Sequence, residues 1–183
     1  MELRIGFSKS TKFLPIYSKL IIWWDQVRYN SEIPISHCYG RFKSCAWQRD
    51  FIYQASGHAT NFMGGEAWAK KNQVVEEYIL EVPDEVVVKI GQICVDREGK
   101  PYAVKQTIGI MLSGLVWLFA FGKVEIKNPL ADGDREVNCL EEWARILAEA
   151  TGVKIPENID GMSIRPFRDW IASLPMVKMD SSI

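Results

Sequence analysis

Apolar and polar residues alternate at the start of the chain. Leu3, Ile5 and Phe7 share one side of that alternation, and the period of two predicts a short strand. The period then lengthens: FLPIYSKLIIWWDQV, residues 13–27, has the spacing of an amphipathic helix, with Pro15 in the first turn where its missing N–H is tolerated. Pro34 forces an extended entry into SHCYGRF, 36–42, and RDFIYQAS, 49–56, reads as the second strand of a hairpin that Gly57 ends. A further strand is expected over VVEEYILEV, 74–82, and a helix over DEVVVKIGQICVD, 84–96. The turn REGKPY leads to a long apolar helix from Tyr102 to Phe121. The best-marked helix is NCLEEWARILAEATG: Asn138 is its N-cap, Glu141 completes a capping box and Gly152 closes it. A last helix, SIRPFRDWIASL, has Ser163 as its cap, and MVKMDSSI, 176–183, is expected to be a flexible tail.

Early strands surrounded by helices make the fold class α+β, as one domain over 1–175. No repeat or linker divides the 183 residues, and 48% hydrophobic with 25% charged is ordinary globular composition. The 22 Lys and Arg balance 23 Asp and Glu, and no basic run appears, so nucleic acid is not an expected partner. The N-terminus lacks the apolar core of a secretory signal, which points to the cytoplasm. Between Lys105 and Lys123 lie 17 uncharged residues, below the ~20 that a spanning helix wants. They are expected to form a buried core helix, with Gly109, Ser113 and Gly114 allowing close packing, rather than a membrane contact.

The four cysteines, Cys38, Cys45, Cys94 and Cys139, form no CxxC pair and the chain has two histidines, so free thiols and no metal site are expected. Cys139 opens a helix, where the partial positive charge favours thiolate over thiol and backbone N–H groups can hold an oxyanion. A cysteine nucleophile also needs an imidazole to take its proton, and His37 lies on the hairpin strand. If the hairpin loop is centred on Cys45 and Ala46, His37 faces Gln54 across the ladder, and the Gln54 carbonyl oxygen can orient the ring. His58, beyond Gly57, is the alternative orienting group. Other features read more plainly. Asp132, Gly133, Asp134 and Glu136 form a solvated turn, and Tyr17, Trp23 and Trp24 form core or a pocket wall. Trp47 packs in the hairpin turn, and Gly64-Gly65 lies in a loop with no phosphate-binding pattern.

A histidine strand (SHCYGRF), then a polar residue on the next strand (DFIYQASG), then a cysteine opening a later helix (VNCLEEWARIL) resembles the circularly permuted NlpC/P60 class. This class is papain-like and includes YiiX/YaeF-type enzymes and the lecithin:retinol acyltransferase group. The GKPY turn, 99–102, resembles a further feature of NlpC/P60 proteins. The resemblance implies a single papain-like domain with a small antiparallel sheet packed against helices. It implies a thiol hydrolase, an amidase or peptidase, with Cys139 as nucleophile, His37 as general base and acid, Gln54 as orienting group and no cofactor. Its substrate would be a peptide, a peptidoglycan-type bond or a lipid amide or ester. The chain lacks a second histidine about a dozen residues after His37, which turns the expectation away from lipid acyl transfer. Two alternatives stand beside it: a catalytically silent binding module of the same fold, and a lipid acyltransferase or thioesterase.

Overall fold

The alternation at the N-terminus becomes β1 (Glu2–Ser10), the central strand of the molecule. In the computed structural model, residues 1–11, 16–30, 32–44, 48–57, 59–121, 123, 129–130 and 136–181 are described. Helix α1 (Ile16–Tyr29) follows, then the hairpin β2 (His37–Ser44) and β3 (Arg49–Ser56). After them come β4 (Ala59–Gly64), the short α2 (Gly65–Ala69) and β5 (Asn72–Leu80). The helices α3 (Asp84–Asp96), α4 (Val104–Phe119), α5 (Cys139–Thr151) and α6 (Ile164–Ser173) complete the chain with β6 (Val177–Met179). The sheet is antiparallel, in the order β4-β3-β2-β1-β5-β6, and with its helices it confirms the α+β class.

One face of the sheet carries the main core. Leu3, Ile5, Phe7, Cys38, Phe42, Tyr53 and Tyr78 meet Ile90 of α3, Trp143 and Leu147 of α5, and Phe167 of α6. Gly40 is what lets α5 approach β2, because a Cβ there would lie 2.0 Å from the Trp143 ring. The opposite face holds Tyr39, Ile52 and Trp68, with a buried ionic group beside them. Glu77 accepts from the Tyr39 hydroxyl at 2.5 Å and from Arg41 Nε at 2.7 Å, and it also pairs with Arg4.

Several expectations change here. The apolar helix α4 is not buried: among the described residues Val104, Ile108, Leu112, Leu115, Val116 and Phe119 are exposed, and the buried positions lie on the side that faces α1. That side is the small-residue one. Gly109 and Gly114 are buried, and Trp24 of α1 sits where a Gly114 side chain would be. Trp24 is core and Trp23, though 40% exposed, walls a small pocket with Leu20 and Leu115, within the expectation of core or pocket wall. Gly64 and Gly65 are not in a loop but at the junction of β4 and α2. The expected flexible tail instead contains β6, which pairs with β5, and Asp180, which pairs with Arg4. Ser163 stands at the N-cap of α6 without a side-chain capping bond, and Asp25 of α1 accepts from the Arg165 N–H at 3.3 Å instead. Among the described residues no helix is long and apolar enough to cross a membrane. Cys38, Cys94 and Cys139 are free and buried. Cys45, Trp47, His58, Asp132, Gly133, Asp134 and the Tyr17 side chain lie outside what is described.

Candidate active site

Cys139 is placed by the cap of its own helix. Asn138 is extended, and its side-chain oxygen accepts from the backbone N–H groups of Leu140 and Glu141, both at 2.9 Å. Gly152 ends α5 at φ +77°, a left-handed conformation that glycine adopts without steric cost. The segment before the cap is pinned by the GKPY turn: Val137 N–H donates to Pro101 O at 3.1 Å, and Ala103 N–H to Val137 O at 3.0 Å. Glu142 then locks the first turn. It is fully buried, accepts from the Tyr53 hydroxyl at 2.7 Å, and takes a bidentate pair from Arg97 at 2.9 and 2.7 Å. Glu141, the other acid of that turn, pairs with Arg145 one turn later at 2.7 Å.

His37 is the first residue of β2, half-buried, and its Nε2 lies 3.0 Å from Gln54 Oε1. The register differs from the simple expectation: Gln54 pairs with Tyr39, not with His37. The shift is two residues, which keeps every side chain on its face, so Gln54 reaches His37 diagonally. The imidazole and the amide therefore meet as expected, by a different ladder step.

Two further residues fix this amide. Trp68 Nε1 donates to the same Gln54 oxygen at 3.0 Å, and Gln54 Nε2 donates to Asn61 Oδ1 at 3.4 Å. An indole N–H only donates, so the atom between Trp68 and His37 must be the amide oxygen. His37 must then donate from Nε2, which leaves Nδ1 with the free lone pair in the neutral ring. Sequence reasoning missed both Trp68 and Asn61. Asn61 sits opposite Gln54 on β4, a strand of mixed polarity that no alternation announced. Trp68 lies on a helix of five residues, too short for a periodic signal.

Cys139 and His37 open into neighbouring spaces. Cys139 lines an apolar cavity of about 40 Å³ with Ile21, Trp24, Ile110, Met162 and Ile164. His37 and Gln54 line a more polar one of about 290 Å³ with Ser56 and Asn72. Ser36 and Tyr102 border both. Among the described residues no hydrogen bond joins Cys139 to His37. Burial pushes the Cys139 thiol up to about 11, against the lowering effect of the backbone of Cys38, Cys139 and Leu140 and of the Tyr102 side chain. The expected preference for thiolate is therefore reversed at rest, because desolvation outweighs the helix end. Burial likewise lowers His37 to about 4, against the Gln54 hydrogen bond. Both groups are neutral near pH 7.

No family model matches the chain, and no curated protein matches its sequence. Among solved structures it is similar to the metalloprotein YiiX from Escherichia coli O157:H7, at 14% identity and a TM-score of 0.62 over 99% of this chain and 96% of that one. At this identity the likeness shows a YiiX-like fold. Among the described residues no group of three or more His, Cys, Asp or Glu is placed to hold a metal ion.

Proposed function

We propose that this chain is a thiol hydrolase of the permuted NlpC/P60 kind, cleaving an amide or ester through an acyl-enzyme on Cys139. The observation that carries the reading is the locked tautomer of His37. Trp68 and Gln54 commit Nε2 to donation, so the basic Nδ1 is the nitrogen available to a thiol. The Cys139 sulfur attacks the carbonyl carbon while its proton passes to Nδ1. The protonated imidazole then gives that proton to the leaving group, and water enters by the same route to release the acid. Both groups start neutral, so proton transfer accompanies attack. The chain's own residues supply the nucleophile, the base and its support, and no step is routed through a metal.

The test is to incubate the protein with a panel of peptide amides and active esters and to look for an acyl adduct on Cys139 by mass spectrometry. The adduct is expected in the wild type, absent in Cys139→Ala, and formed at least about 100-fold more slowly in His37→Ala. A wild-type Cys139 left unmodified by every ester would overturn the reading in favour of a binding module.

One observation supports a second reading. The cavity beside Cys139 is walled by apolar side chains of α1 and α4, and α4 carries an exposed apolar stripe. Both suit a lipid ester or thioester as the acyl donor. Flotation with liposomes tests it, and protein left entirely in the soluble fraction would sink it.

A further inference from the structure

We propose that Asn138 is a catalytic residue, its side-chain amide N–H donating to the substrate oxygen that becomes negative when Cys139 attacks. This rests on the thiol-hydrolase reading above and names a group that the reading does not use. Asn138 is 5% exposed, and its two ends are distinguishable. Oδ1 accepts from two backbone N–H groups, so an amide turned the other way would set donors against donors. Nδ2 therefore points away from the helix, and among the described residues this buried nitrogen has no hydrogen-bond partner. Asn138 and Cys139 line the same cavity. A buried donor without a partner, beside a nucleophile, is placed to be satisfied by a ligand.

The helix end itself has little left to offer. The N–H groups of Leu140 and Glu141 are committed to Asn138 Oδ1, and that of Glu142 to the Asn138 carbonyl at 3.0 Å. Of the first turn, this leaves the N–H of Cys139, which has no backbone acceptor among the described residues. An oxyanion usually needs two donors, and Asn138 Nδ2 is the second. One side chain thus caps the helix with its oxygen and serves the reaction with its nitrogen. During attack the sulfur lone pair forms the C–S bond and the carbonyl π pair moves onto oxygen, where the two N–H groups hold it. The pair then returns and expels the leaving group.

Asn138→Asp and Asn138→Ser both keep a capping acceptor and remove the amide N–H. Each is compared with wild type in two reactions at Cys139. Iodoacetamide alkylates by substitution at saturated carbon and forms no oxyanion, whereas p-nitrophenyl acetate acylates through one and releases nitrophenolate. The ratio of acylation to alkylation rate is expected to fall about 100- to 1,000-fold in both variants, with the melting temperature preserved. A ratio that stays at the wild-type value in the variants overturns the proposal, including the case in which both rates fall together because Cys139 has moved. A wild-type Cys139 that reacts with neither reagent removes the thiol-hydrolase reading itself, and this proposal with it.

Discussion

Helix α4 carries no charge beyond Lys105 and presents Val104, Ile108, Leu112 and Phe119 to the outside, Phe119 at 79% exposure. Helix α5 opens on two adjacent glutamates and buries its whole first turn. Composition alone would exchange their places. The difference lies in partners. In the first turn of α5 both carboxylates find counterparts, Glu142 in Arg97 and Tyr53 and Glu141 in Arg145, and the N–H groups of Leu140 and Glu141 have Asn138 Oδ1. Gly40 in turn opens the sheet to Trp143. Around α4 the glycine side meets Trp24 of α1 and Ile110 reaches the cavity beside Cys139, while Val104, Ile108, Leu112 and Phe119 stay exposed among the described residues. Burial follows satisfied neighbours rather than hydrophobicity, and the helix that holds the candidate nucleophile is the one whose first turn is anchored.

The largest way to break this comparison is Arg97→Ala. It leaves Glu142 charged, buried and half-satisfied, and is expected to cost about 3–5 kcal/mol, read as a lowered urea midpoint. Glu142→Gln with Arg97→Ala should recover part of the loss. Next is a matched pair of truncations. Leu147→Ala in α5, at a fully buried site, should cost about 2–5 kcal/mol. Leu112→Ala in α4, at a site 44% exposed, should stay within about 0.5 kcal/mol. Equal effects would mean that the exposed stripe is covered in solution. A smaller change sharpens the α4 side: Gly114→Ala puts a Cβ 2.9 Å from the Trp24 ring. It should cost about 1–3 kcal/mol and shift the tryptophan fluorescence as Trp24 gives way.

Much of α5 was legible in the sequence because its signals are local. Asn138, Cys139 and Gly152 fall at the cap, first turn and terminus that their residue types announce. The meeting of His37 and Gln54 was legible for a subtler reason. The hairpin's register lies two residues from one centred on Cys45 and Ala46, and parity protects the face against any even shift. What escaped depends on distant chain. The strand β4 shows no clean alternation because it is an edge strand with one neighbour, so Asn61 and the bond it receives from Gln54 were invisible. Trp68 reaches Gln54 from a five-residue helix. The exposure of α4 among the described residues depends on which elements pack against it, which an apolar run cannot reveal. The thiol state of Cys139 balances local N–H groups, which sequence shows, against desolvation by the whole fold, which it does not.

The central claim is that His37 activates Cys139 from a neutral pair, and the pH–rate profile for acylation of Cys139 by an active ester tests it most directly. With His37 lowered to about 4 and Cys139 raised to about 11, the base is free and the thiol still protonated across the range between. The wild-type rate should therefore climb as His37 loses its proton near 4, stay level through neutrality, and rise again only as thiolate forms. In His37→Ala the plateau should vanish, leaving a rate that grows about tenfold per pH unit toward the thiol pKa. A wild type that shows that same unbroken slope, indifferent to the loss of His37, would contradict the account.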